Sequence, residues 1–187
     1  MVIRTAEISD APRLLEIYSP YVLNTAISFE YEPPSLAEFE GRIRKVKENG
    51  FPYLVAEKDE KIIGYAYAGQ FQSRKAYHIS AEASIYLDSE HRRAGIGRTL
   101  YARLEELLRE KGTHNLYALI AYTPREDLYL TKDSILFHER MGFVLCGHLR
   151  ECGEKFGRYY DMCFMEKTLD SHDRSRLSPS AFDKTNL

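Results

Sequence analysis

The residues able to do chemistry concentrate in one stretch, 77–98. It ends in Arg92-Arg-Ala-Gly95-Ile-Gly97-Arg98, a glycine turn between an alternating strand and an amphipathic helix. Glycines there let the backbone come close to a ligand, and the first N–H groups of the helix have no intrahelical partner. Together they make an anion site whose natural occupant is a pyrophosphate, with Arg92, Arg93 and Arg98 adding charge at the rim. The turn is not a Walker loop, because G-x-x-x-x-G-K-[ST] is missing. It is not the G-x-G-x-x-G fingerprint either, since position 100 is leucine. The plain alternative is a tight turn with solvated arginines.

Glu82 is the second feature. Ile79, Ala81, Ala83, Ile85 and Leu87 face one way, and His78, Ser80, Glu82, Ser84 and Tyr86 the other. A carboxylate amid so apolar a strand is unusual. It is either a structural or ion-paired glutamate, or a group that takes a proton during a reaction. The three cysteines, Cys146, Cys152 and Cys163, lack paired spacing and are expected to be reduced thiols. Neither the six histidines nor the carboxylates show ligand spacing, so no metal is expected.

These groups need a scaffold. The chain has 187 residues, 44% apolar and 29% charged, enough for one domain with its own core. A net charge of −2, from 26 basic and 28 acidic residues, argues against nucleic-acid binding. No window approaches about 18 apolar residues, which excludes a membrane span. The opening MVIRTAEISD has no apolar signal region, so a cytoplasmic location is expected.

A short strand is expected at 2–4, then a helix capped by Ser9-Asp10 that Pro20 bends or ends. Residues 26–30 read as an extended piece. Ser35-Leu-Ala-Glu38 reads as a capping box opening a helix that Asn49-Gly50 ends. Strands at 53–57 and 62–68 form a hairpin, and 77–87 is a long strand that should be central. A helix then runs to Gly112. Strands at 116–121, 143–145 and 159–168 follow, with a helix at 134–141 between the first two. This order gives an α/β fold: a mixed, mostly antiparallel central sheet flanked by helices. The domain is expected over 1–169. Residues 170–187 are polar, carry Pro179 and read as a disordered tail.

The R-x-x-G-x-G turn, the element order and the length resemble the GNAT superfamily of acetyl-coenzyme A-dependent N-acetyltransferases. Within it the chain resembles the phosphinothricin acetyltransferase branch, over roughly residues 2–168. The local carriers are Ala81-Glu-Ala-Ser-Ile-Tyr-Leu87, similar to V-E-H-S-V-Y-V; Ser134-Ile-Leu-Phe-His138 with Met141-Gly-Phe143; and Lys155-Phe-Gly-Arg-x-x-Asp161. Ala83 stands where that branch has histidine, on the face away from Glu82.

The resemblance implies acetyl-coenzyme A as cofactor. Its pyrophosphate would lie on the amides of Arg93, Ala94, Gly95, Ile96, Gly97 and Arg98, beside Arg92. Its pantetheine would run along Ile85, Tyr86 and Leu87, where a backbone N–H polarises the thioester carbonyl. Thr131 and Ser134 fall at cofactor-contacting positions, although the family usually has Asn where Thr131 stands. Glu82 would be the general base for an amine, directly or through water. His138 would be a second proton acceptor, the thiolate's proton donor, or a structural histidine.

On the substrate side the resemblance points to Phe29, Glu82, Lys155 and the loop 71–77 with Arg74, Lys75 and Tyr77. Arg74 would grip a carboxylate while Tyr77 and Phe29 wall an aliphatic side chain. Lys155 and Arg158 would complete an anion-friendly mouth, or else be hairpin surface charges. The implied activity is direct acetyl transfer, in a ternary complex, to the amino group of a small amino-acid-like substrate of the phosphinothricin or methionine sulfoximine type. A homodimer is also implied. The competing expectations are an acyl-coenzyme A-binding module without catalysis, and acetylation of a peptide N-terminus.

Overall fold

The computed structural model describes residues 1–91 and 94–172. Seven strands form one sheet in the order β1-β2-β3-β4-β5-β7-β6. They are β1 (Val2–Thr5), β2 (Tyr53–Lys58), β3 (Lys61–Gln70), β4 (Ser80–Leu87), β5 (Asn115–Tyr122), β6 (Val144–Lys155) and β7 (Arg158–Thr168). Every neighbouring pair is antiparallel except β4–β5, so β4 sits at the centre, as the sequence implied.

Among the described residues four α-helices cover the two faces: α1 (Ala11–Asn24), α2 (Leu36–Glu48), α3 (Ile96–Glu110) and α4 (Asp133–Arg140). The α3 stripe Leu100, Leu104 and Leu108 is fully buried against Ala66, Ala81 and Leu116. On the opposite face α1 and α2 bury Leu14, Val22, Phe39 and Ile43 against Tyr53, Val55 and Tyr65. Side chains alternate along β4, so Ala81 and Ala83 belong to the α3 core. Glu82, Ser84 and Tyr86 face α1 and α2, where Tyr86 meets Tyr18 and Tyr21 edge-on. The mixed sheet between two helical layers is the expected architecture.

Several local expectations are corrected. Residues Lys75–Ile79 form a 3₁₀ turn, and the central strand begins at Ser80. Pro20 lies inside α1, which continues to Asn24 because Tyr21 and Val22 still have core to bury. Asp10 precedes α1, but its carboxylate accepts from Arg4 and from the Glu7 N–H instead of capping the helix. Only half of the Ser35 box forms: its hydroxyl accepts the Glu38 N–H at 3.2 Å, while the Glu38 carboxylate pairs with Arg42.

Of residues 26–30, read as an extended piece, 26–28 form bends and 29–30 have no regular structure. The strand expected at 143–145 starts at Val144 and extends to Lys155, because it pairs with β7 across a register shift at Leu149/Gly153. The expected tail lies outside the described residues beyond His172.

Candidate active site

β4 and β5 pair only at Ser80–Asn115, Ala81–Leu116 and Glu82–Tyr117. Beyond Glu82 the two strands part. The Asp88 N–H donates to the Ile63 carbonyl at 3.0 Å, which fixes the phase of the β3–β4 ladder. In that phase Glu82, Ser84 and Tyr86 bond to β3, and Ala83, Ile85 and Leu87 turn their N–H and C=O groups toward the gap. Leu87 is already capped: its N–H donates to the Tyr21 hydroxyl at 3.1 Å, which donates to the Leu87 carbonyl at 2.6 Å. The Glu82–Tyr117 pair uses the Ala83 N–H, so the edge open to a strand-like ligand is the Ala83 carbonyl and the N–H and C=O of Ile85.

From this gap a groove leads toward the N-terminus of α3, past Ile85, Leu87, Gly97, Thr131, Ser134 and Phe137. Gly95 caps α3 with a left-handed φ of 78°, a conformation that favours glycine. Gly97 is buried, and a Cβ there would come within 3.1 Å of the Phe137 ring and 3.3 Å of Ile85 Cδ1. A glycine-floored groove, an open strand edge and the free N–H groups of a helix start suit a long, strand-like thioester with an anionic end. The cofactor positions Ile85, Leu87, Gly97, Thr131 and Ser134 thus come together.

The other cofactor positions divide. Ala94 and Arg98 are exposed, whereas the Ile96 side chain is buried in the core. Tyr86 turns its ring into the aromatic cluster under α1 and borders the gap, while its backbone pairs with β3. Arg92 and Arg93 lie outside the described residues.

Glu82 is half-buried at the point where β4 and β5 part, and burial raises its pKa above the usual carboxylate range. Its register partner Tyr117 stacks on Phe71 at 4.2 Å, and Phe71 meets Tyr77 edge-on. The 71–77 loop is thereby tied to the carboxylate's neighbourhood. Arg74 and Lys75 are exposed and border an open hollow with Gln70, Ser73 and His78. Phe29 belongs to a different cluster, packed with Leu130 and Tyr160 and against Gly153, where a Cβ would strike its ring. Tyr77 and Phe29 therefore pack in separate clusters.

His138 is buried, with Nε2 2.8 Å from the Tyr101 hydroxyl and Nδ1 2.7 Å from the Ser134 carbonyl. A carbonyl only accepts, so Nδ1 carries the proton and Nε2 accepts from Tyr101. Burial lowers the pKa to about 4, so the ring is neutral near pH 7. Both nitrogens are engaged. Of the three expected roles this geometry favours the structural histidine, a hydrogen-bonded fixture behind the gap, beside Tyr101.

Lys155 is also corrected. It is 2% exposed, and its Nζ donates to the Val22 and Ser28 carbonyls at 2.6 and 2.7 Å, so it offers no charge to a mouth. Arg158 is exposed and pairs with Asp127 at 2.8 Å. Asp127 also accepts from Tyr160 and the Tyr129 and Leu130 N–H groups, and these donors hold its pKa low.

Sequence reasoning found no metal spacing, but the fold brings ligand atoms of Asp88, Glu90 and His91 within 4.8 Å of one another. Asp88 is already committed to Arg13 and to the Glu90 N–H, so this is an arginine-held turn. Tyr21, Ile27, Tyr101, Phe137 and Arg140 border the gap or groove and were missed. Tyr101 had a usable signal, since it lies four residues after Gly97 and three before Leu104 on one helical face.

A half-buried carboxylate where a parallel pair parts, next to a glycine-opened helix, suits a thioester-dependent acyltransferase. Residues 3–164 match the family model described as acetyltransferase (GNAT) domain. The chain belongs to this family, whose members use acetyl-coenzyme A. It is 34% identical over 171 residues to the phosphinothricin N-acetyltransferase of Alcaligenes faecalis, covering 91% of this chain and 84% of that one.

Another relative is the L-methionine sulfoximine/L-methionine sulfone acetyltransferase of Salmonella typhimurium, 32% identical over 176 residues, covering 92% of this chain and 96% of that one. Among solved structures, a GNAT superfamily phosphinothricin acetyltransferase from Sinorhizobium meliloti in complex with AcCoA superposes with a TM-score of 0.85. It is 34% identical and covers 98% of this chain and 96% of that one.

Proposed function

We propose that this enzyme transfers the acetyl group of acetyl-coenzyme A to the α-amino group of a small amino-acid-like substrate, of the phosphinothricin or methionine sulfoximine type. The observation that carries this is the position of Glu82, whose carboxylate is half-buried where the cofactor strand parts from its neighbour. An amine arrives largely protonated and must lose a proton before it can attack. Glu82 takes that proton, directly or through one water, and its raised pKa brings it closer to that task. The bound thioester supplies the activated acetyl group. The Ala83 and Ile85 edge aligns it, and an N–H there polarises its carbonyl.

Arg74 and Lys75, exposed on the loop tied to Glu82 through Phe71 and Tyr117, hold the substrate carboxylate. Transfer is direct, within a ternary complex, and no cysteine is needed. The names of the relatives support the substrate class. We also propose a cytoplasmic homodimer. Its support is the set of unpaired thiols and the edge strand β6, which exposes Val144, Leu145 and Leu149. Among the described residues no helix is long and apolar enough to cross a membrane.

The test is Glu82→Gln. It should bind acetyl-coenzyme A as the parent does and lose turnover. Binding without turnover in the parent as well would mark a cofactor-binding module instead.

A further inference from the structure

We propose that Lys155 is a positioning residue for the gap where the amine meets the thioester, acting through Ile27. This rests on the amine entering beside Glu82 at the gap between β4 and β5. Helix α1 ends at Asn24, and its last carbonyls lack intrahelical donors. Tyr21 O takes the Thr25 hydroxyl at 2.6 Å. The amide four residues beyond Val22, that of Ala26, donates to Tyr129 O at 3.0 Å, so Val22 O is left for Lys155.

A second Lys155 N–H goes to Ser28 O, and the ammonium lies 5.2 Å from the centre of the Phe156 ring. A buried ammonium is costly unless its donors are met, so the two carbonyls are held as a pair. Between them in sequence lies Ile27, which, like Ile85 and Ser134, borders both the gap and the groove leading to α3.

The rest of the β6–β7 tip grips the same region. Gly153 receives the Phe29 ring, the Tyr31 hydroxyl donates to Glu154 O at 2.7 Å, and Phe156 stacks on Tyr129 at 4.1 Å. Arg158 reaches Asp127 on the facing loop. Lys155 is the buried member of this set and the one that fixes the backbone on both sides of Ile27. The hairpin tip thereby sets one wall of the gap in which the amine has to meet the thioester.

Two readouts test the clamp. In hydrogen–deuterium exchange, Lys155→Met should speed exchange across residues 25–30 by about tenfold or more, with α3 and β4 unchanged. In steady-state kinetics, Lys155→Met and Ile27→Ala should each lower kcat/KM for the amine by about 10- to 100-fold. The double variant should lose little more than the worse single one, because both remove the same wall. Additive losses, or unchanged exchange at 25–30, would overturn the inference. If Lys155→Met does not fold, Lys155→Arg, which keeps the charge on a bulkier head, takes its place in both experiments. A parent enzyme that acetylates none of the amines offered would refute the proposed function, while the exchange result would still decide the clamp.

Discussion

Gly97 offers a direct test of the cofactor groove. It is the second residue of α3, buried, and has no left-handed φ, so its backbone tolerates a side chain. What stands in the way is space, with Phe137 Cε2 3.1 Å and Ile85 Cδ1 3.3 Å from a Cβ. Both atoms belong to side chains that floor the groove, so crowding is relieved mainly by pushing Phe137 or Ile85 into it. In Gly97→Ala the helix gains about 0.5–1 kcal/mol, which roughly offsets displacement by a few tenths of an ångström.

Gly97→Val adds two methyl groups beyond alanine's Cβ, and overpacking of that kind costs about 1–3 kcal/mol. Where the groove absorbs the strain, the cost appears in cofactor affinity, about 5- to 140-fold at 1.4 kcal/mol per decade. Acetyl-coenzyme A binding by titration calorimetry, with KM by thiol release, reads this directly. Gly41→Ala is the control: it lies mid-α2 with no neighbour within 4 Å of its Cβ. It should add about 0.5–1 kcal/mol of stability and leave cofactor affinity alone. A folded Gly97→Val with parental affinity would refute the assignment of this groove to the cofactor.

Other outcomes follow from the titrating groups. The folded-state pKa of Glu82 is raised, so its contribution to stability is fully present below the unfolded pKa and lost as pH rises through the folded one. Glu82→Gln should melt higher than the parent at neutral pH while kcat falls by about 10²–10⁴, a pairing that melting and thiol-release assays measure together. His138 shifts the other way, from 6.5 to about 4, so the folded state loses up to about 3 kcal/mol as pH falls through that window. His138→Gln should flatten the dependence of the melting temperature on pH between those values. An unchanged slope would show that His138 is not held neutral.

Much of the scaffold could be read from periodicity. The leucine stripe of α3 and the alternation of β4 fixed their inner faces, and the glycine turn placed a helix start beside a central strand. What periodicity could not show was long-range. β6 is exposed along most of its length, so its twelve residues carry no buried stripe, and pairing with β7 alone defines it. Lys155 read as a charge at the substrate mouth or on the hairpin surface, because nothing local announces that its partners are carbonyls 133 and 127 residues away. The Tyr21 cap on Leu87 was hidden for the same reason, being 66 residues distant. Phe29 and Tyr77 were paired on chemical type, and the fold assigns them to different clusters.

The measurement closest to the central claim is thiol release from acetyl-coenzyme A over a panel of amines, with the acetylated product identified by mass. The panel contains phosphinothricin, methionine sulfoximine, methionine sulfone, common amino acids, polyamines and short peptides. The account predicts turnover on the first three, with loss of activity when Arg74 is replaced by Gln. Turnover confined to peptides or polyamines, or none with acetyl-coenzyme A bound, would contradict it.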